Sequence, residues 1–179
     1  RLELLNLKAD LSIQNAEKTN FEDESFDHVN CQGVIHHTPY TDRAAREICR
    51  ILKPGGSASV SVYYRNIFLR AWPILRSLGW LISLLGGKLK GRGREKIYRE
   101  SNVDEIVRLY DGAENPIGKS YSNKQLFELL EPYFTVEETY LHFFPARSLP
   151  FKIPKFVHRF LDKRCGFMIY TTLRKKCAA

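Results

Sequence analysis

Two histidines stand side by side at positions 36 and 37, shortly after the run Cys31-Gln32-Gly33. An imidazole titrates near neutral pH, so His36 or His37 could take a proton from a reacting group, and Tyr63 is a third candidate. The competing reading is a histidine that orders its own loop. A metal centre is excluded, because adjacent side chains point to different sides of a helix or strand and no Cys, Asp or Glu stands at zinc-ligand spacing. The cysteines at 31, 49, 165 and 177 have neither metal-ligand nor disulfide-framework spacing and read as the reduced thiols of a cytosolic protein. Asn15-Ala16 could be an ordinary turn, which Asn suits.

The elements that must position these residues follow from pattern. FDHVNCQ, residues 26–32, reads as a strand running into a loop at Gly33. Thr41–Leu52 reads as an amphipathic helix, with Ala44, Ala45, Ile48, Ile51 and Leu52 on one face and Thr41 or Asp42 to cap it. Lys53-Pro54-Gly55-Gly56 is expected to end that helix in a turn. Ala58, Val60 and Val62 then alternate with Ser57, Ser59 and Ser61 in a strand. Strand, helix and strand make a βαβ unit, hence a parallel sheet with a right-handed crossover. Ligands of such sheets bind beyond the carboxyl ends of the strands, where Asn15-Ala16 and Cys31-Gln32-Gly33 fall. Asp10–Gln14 is expected as a further short strand, and residues 1–7 as the tail of a helix.

After Tyr64 the character changes. Ile67–Leu85 is an apolar run interrupted by Arg70, Pro73 and Arg76, and Lys88–Arg99 is a basic connector. Helices are expected over Val103–Tyr110, over Ser122–Leu130 with Ser122 as cap, and after Pro154. Strands are expected over Phe134–Phe144 and Gly166–Leu173, paired antiparallel at one edge. The chain of 179 residues, 44% hydrophobic and 27% charged, excludes disorder and low complexity, and is read as one domain with a helical cap over 65–120. The net charge of +8 is concentrated: residues 65–100 carry 9 Lys/Arg against 2 Asp/Glu, and residues 147–179 carry 9 against 1.

Residues 21–56, FEDESFDHVNCQGVIHHTPYTDRAAREICRILKPGG, resemble the class I S-adenosylmethionine-dependent methyltransferases, particularly the branch that includes the quinone-biosynthesis C-methyltransferases. The matching residues are Asn15-Ala16, Phe21, Ser25-Phe26-Asp27, Gly33-Val34-Ile35-His36-His37 and Leu52-Lys53-Pro54-Gly55-Gly56. The resemblance implies an α/β, Rossmann-like sheet and S-adenosyl-L-methionine as cofactor. By it, Asn15 accepts a hydrogen bond from the adenine amino group and the Ala16 backbone meets the ring edge. Cys31, Gln32 and Gly33 then line the methionine end. The family usually has Asp where this chain has Asn15. Its Gly-rich loop and acidic ribose-binding residue have no counterpart here, and Gly33 is the first glycine of the sequence. The fold is therefore expected to be incomplete at the amino terminus. It should keep the fourth to seventh strands of the family order 3-2-1-4-5-7-6 and carry a helical insertion after the fifth.

The implied reaction is methyl transfer to a small, lipid-like or aromatic acceptor, with this chain alone inactive; Tyr63, Tyr64, Tyr121 and His142 are candidates for the substrate side. A different reading is a non-catalytic Rossmann-like module whose basic segments hold nucleic acid or an acidic partner. It ranks second because no nucleic-acid-binding motif is present. Ile67–Arg99 offers peripheral membrane contact to an otherwise cytoplasmic protein. Phe68, Trp72, Leu75 and Trp80 would enter the headgroup boundary, and Lys88, Lys90, Arg92 and Arg94 would sit on anionic lipid. A buried cap over the active site competes with that reading.

Overall fold

The computed structural model describes residues 3–84, 97–112, 114–146 and 152–176. Strand β1 (Phe26–Gln32) leads through a 3-10 turn (Ile35–His37) into helix α1 (Thr41–Ile51), which passes without a loop into β2 (Leu52–Tyr64). The two strands are parallel, with Val29 opposite Ala58 and Gln32 opposite Ser61. Ala44, Ala45, Ile48 and Ile51 recur at helical spacing, so one face of α1 is apolar and all four are buried. Burial of an isoleucine such as Ile48 contributes roughly 1.5–3 kcal/mol. The cap differs from expectation. Tyr40 occupies the N-cap without a side-chain bond, and Thr41 is the first helical residue, its hydroxyl accepting from Tyr121 at 2.8 Å.

Lys53-Pro54-Gly55-Gly56 does not form a separate turn after the helix; it lies inside β2 as a bulge. Phe26 pairs with Leu52 but His28 pairs with Ser57, so the quartet swells out opposite Asp27. A bulged residue owes no hydrogen bond to the ladder, which is why proline is tolerated there. Lys53 pins the swelling by placing Nζ 2.9 Å from both Asp27 carboxylate oxygens.

A two-residue strand β3 (Ser120–Tyr121) continues beside Tyr63-Tyr64 of β2, and β4 (Phe134–His142) runs antiparallel to β5 (Met168–Lys175). The sheet order is β1-β2-β5-β4, with β5 antiparallel to both neighbours. The expected antiparallel pair is thus present at one edge. Residues 10–14 form no strand: Leu11 and Ile13 are fully exposed, and no described strand lies along the outer edge of β1 to receive them.

Between β2 and β3 lie α2 (Ile67–Arg70), α3 (Trp72–Leu84), a 3-10 turn (Ile97–Arg99) and α4 (Val103–Asp111); α5 (Asn123–Leu130) follows β3 and α6 (Lys155–Cys165) follows β4, and a 3-10 turn (Glu3–Leu5) stands where the tail of a helix is expected. Leu69, Ile97, Ile106 and Val107 form a second core with Tyr63, Phe167 and Met168. Trp72 and Leu75 are half-buried rather than exposed. Trp72 packs on this core and donates its indole N–H to the Glu100 carbonyl at 2.9 Å. The opposite face of α3 exposes Ile74, Leu78 and Leu81, flanked by Trp80 and Leu84. Lys88, Lys90, Arg92 and Arg94 lie outside the described residues. Among the described residues no helix is long and apolar enough to cross a membrane.

Candidate functional site

The carboxyl ends of β1 and β2 meet at Gly33, whose N–H donates to the Ser61 carbonyl at 3.2 Å and hydroxyl at 3.0 Å. Gly33 has φ +74°, a left-handed conformation that admits the chain to its turn away from the sheet. Gln32 and Gly33 are exposed, while Cys31 is half-buried and burial pushes its thiol up to about 11, so it stays protonated. It offers an uncharged surface beside the exposed glycine.

Asn15 reaches this end of the sheet by a separate route. Its side-chain oxygen accepts from the Glu17 N–H at 2.9 Å, and its carbonyl accepts from Lys18, closing a turn. Glu17 in turn accepts from the Tyr40 N–H at 2.7 Å, tethering the turn to the start of α1. One lone pair of the Asn15 amide oxygen remains, and the residue is exposed with Ala16 half-buried beside it. In chemical type these groups match what the adenine and methionine portions of S-adenosylmethionine require: a spare acceptor lone pair, a neutral thiol and an open glycine. No described contact joins the 15–18 turn directly to Cys31-Gln32-Gly33.

The three candidate bases gather behind that edge as one ring cluster. His36 lies 4.1 Å from the His37 ring and 4.3 Å from the Tyr63 ring. His36 is 1% exposed, and burial, aided by the neighbouring His37, depresses its pKa to about 3; the ring is neutral and its Nδ1 meets no partner. His37 is held by the loop after α4, with Nδ1 2.6 Å from the Ile117 carbonyl and Nε2 3.6 Å from Asp111. Tyr63 is 7% exposed, and its pKa is raised by burial first and then by its hydrogen bond to Asp111. Asp111 also accepts from the Asn115 amide. Tyr63 alone of these rings reaches a cleft of about 510 Å³. Tyr64 and Tyr121 do not line it: Arg70 lies over the Tyr64 ring, and Tyr121 bonds to Thr41.

His142, at the end of β4, forms the far wall of that cleft, with Tyr110, Phe143, Phe144 and Phe167 around it. Its Nδ1 is hydrogen-bonded to Asp162 of α6, a carboxylate that is 8% exposed and also accepts the Phe144 N–H at 2.6 Å. Two local features build the pair. Phe143 has φ +70°, which turns the chain sharply after His142. Gly166 lets α6 close on β4, because a Cβ there would lie 2.6 Å from the His142 carbonyl and 2.7 Å from that of Asp162. Sequence reading reached His142 but neither Asp162 nor Asp111. Carboxylates 20 residues from His142 and 74 residues from His37 carry no local pattern; only the fold brings them in.

Residues 2–60 match a family model described as a methyltransferase domain. Over 82 residues the chain is 33% identical to the ubiquinone/menaquinone biosynthesis C-methyltransferase UbiE of Laribacter hongkongensis, a match covering 46% of this chain and 32% of that protein. Over 52 residues it is 40% identical to phosphoethanolamine N-methyltransferase 2 of Caenorhabditis elegans, covering 29% and 12%. The matches thus span no more than about a third of these curated relatives' length. A SAM-dependent methyltransferase of Methanosarcina mazei superposes with a TM-score of 0.57 at 19% identity, covering 96% of this chain and 69% of that one. One from Thermotoga maritima gives 0.51 at 20%, covering 90% and 61%. At these identities the two structures speak for the fold.

Proposed function

We propose, for a chain that belongs to the class I S-adenosylmethionine-dependent methyltransferases, that it contributes the methionine end of the cofactor site and the acceptor cleft to methyl transfer onto a small aromatic or lipid-like molecule. The observation that carries this reading is convergence. The 15–18 turn is tethered to the start of α1, Gly33 leaves β1, and the aromatic cleft opens at Tyr63, all at the carboxyl end of one sheet. Bound there, the cofactor supplies a sulfonium methyl. Asn15 orients the adenine, Cys31 and Gly33 flank the methionine portion, and Tyr63, backed by the His36 and His37 rings, gives the acceptor an aromatic wall. Alignment then does most of the work.

The Gly-rich and ribose-binding contacts of the family are not among these 179 residues, so affinity is expected to be weak. Amide NMR of the protein titrated with millimolar S-adenosylmethionine tests the reading. Shifts confined to residues 15–18 and 31–37 support it; an unchanged spectrum at saturation refutes it.

The exposed stripe of α3 supports a peripheral membrane partner for the same protein. Ile74, Leu78 and Leu81 lie outward, and Arg76 and Arg99 border a groove with Trp80 and Leu81. Apolar residues edged by guanidinium groups suit the headgroup boundary of an anionic bilayer. Sedimentation with phosphatidylserine vesicles should remove the wild type from solution but not Leu78→Lys. Equal recovery of both in the supernatant overturns this contact.

A further inference from the structure

We propose that His142 is the general base of the cleft, and that the acceptor it serves is a flat aromatic molecule bearing an ionisable hydroxyl. This rests on the methyl-transfer reading and adds the substrate class and the proton's route.

The argument begins with Asp162. A buried carboxylate is costly unless its oxygens are satisfied, and both are: one takes His142 Nδ1, the other the Phe144 N–H. With Nδ1 engaged by an acceptor-only group, the neutral imidazole carries its proton there and presents the bare Nε2 lone pair. The side chain is 58% exposed and lines the cleft, so the ring is open to solvent and to a bound molecule rather than sealed in the core. The left-handed Phe143 and the close approach at Gly166 both serve to bring helix α6 under the ring. His158 lines the same cleft but has no carboxylate orienting it among the described residues.

The walls specify the shape of the acceptor. Tyr63, Tyr110, Phe143, Phe144 and Phe167 line the cleft together with His142, and Tyr110 and Phe167 meet with centroids 4.7 Å apart. Aromatic faces of this kind receive a planar ring, and the one imidazole lone pair oriented among them receives a proton from it. Position agrees as well. His142 pairs with Met168, which pairs with Tyr63, so the base is level with the carboxyl end of β2. Three strand spacings of about 4.8 Å, about 14 Å in all, separate β1 from β4. That span leaves room for an acceptor between the methionine end at Gly33 and the base.

The step balances. A lone pair of the acceptor oxygen forms the bond to the methyl carbon, and the carbon–sulfur bond breaks with its pair passing to sulfur. The hydroxyl proton goes to Nε2 and from there to solvent. His142 is a catalytic residue in this scheme, and Asp162 is a positioning residue.

4-Nitrophenol, whose ionised form is yellow, tests the proton transfer without cofactor. Added below its own pKa, it should bind with the phenolate colour enhanced, and the His142 ring nitrogens should shift to their imidazolium values in NMR. His142→Asn should bind the probe but lose the colour, and Asp162→Asn should reduce it at least fivefold while His142 changes tautomer. Probe binding with no ionisation, ionisation that survives His142→Asn, or no probe binding at all would each overturn the proposal. The S-adenosylmethionine titration is read separately, so loss of that binding indicts the methyl-transfer reading and leaves the base assignment to the probe. Where transfer to an added phenol is measured, His142→Asn should lower its rate at least about 100-fold, the ordinary worth of a general base.

Discussion

Glu47 Oε1 accepts twice from Thr19, from the backbone N–H at 2.7 Å and from the hydroxyl at 2.6 Å. Arg50 grips the same carboxylate at 2.6 and 2.9 Å and also reaches the Phe21 carbonyl. A segment that belongs to no strand is thereby fastened to helix α1. Arg50 first, and Thr19 after it, hold the Glu47 carboxyl at about 2. A carboxylate depressed on folding stabilises fully above its unfolded value and loses that contribution as pH falls through its folded one, here from about 4.5 to about 2. Glu47→Gln should cost roughly 1.5–3 kcal/mol in urea unfolding at pH 7. It should also speed amide exchange at Thr19; an unchanged Thr19 exchange rate would sink the tether.

His36 governs a different window. Its ring is neutral in the fold, with a pKa near 3 against 6.5 when free. Between those values the unfolded chain binds a proton that the folded chain does not, so stability falls as pH falls, by up to about 1.4 kcal/mol per pH unit. From pH 6.5 to 5 Glu47 is silent and His36 is not. The slope of unfolding free energy against pH in that interval should flatten in His36→Phe. The same slope in the variant would show that His36 titrates normally.

Gly166→Ala places a methyl group against backbone on both sides. Neither the His142 nor the Asp162 carbonyl can rotate away, so α6 must shift from β4. A loss of roughly 1–3 kcal/mol is expected, as for other overpacked sites. The His142–Asp162 hydrogen bond should weaken with it, visible as loss of the slowly exchanging Nδ1 proton in NMR. Retention of that proton at full stability would refute the close approach.

Ser122 and Gln125 form a reciprocal capping box at the start of α5. Ser122→Ala should cost about 1 kcal/mol, or about 2–4 °C in Tm for a chain of this size. The far-ultraviolet spectrum should barely change, since Leu126 and Leu130 still anchor the helix in the main core.

What sequence revealed here is what local spacing controls. The face of α1, the cap at Ser122 and the strand FDHVNCQ are each set by residues within a few positions of one another, and each is found where pattern puts it. Lys53-Pro54-Gly55-Gly56 forms a bulge and not the expected turn because turn chemistry is shared by both; the neighbouring strand, paired at Phe26 and His28 on either side of Asp27, decides between them. Asp10–Gln14 alternates like a strand, but a strand exists only beside another. At the candidate site, the motif residues are visible in one dimension. The groups that orient them are not, because Asp111 and Asp162 are supplied by elements far along the chain.

The sheet order also fixes a timetable. β5, the last strand in the described sequence, lies between β2 and β4, and the Thr171 hydroxyl reaches the Val60 carbonyl across 111 residues. By contrast β1 meets β2 across only about 29, as in the His28–Ser57 pair. During synthesis the β1–α1–β2 unit can form early, while β4 emerges with no neighbour to pair with. Both must wait, with apolar faces uncovered, until β5 leaves the ribosome and slides between them. Non-local pairing of this sort is slow and exposes unpaired strands meanwhile. Until β5 arrives, β2 and β4 share no neighbour within the sheet, so the strand that comes last among the described residues is the one that joins its two halves.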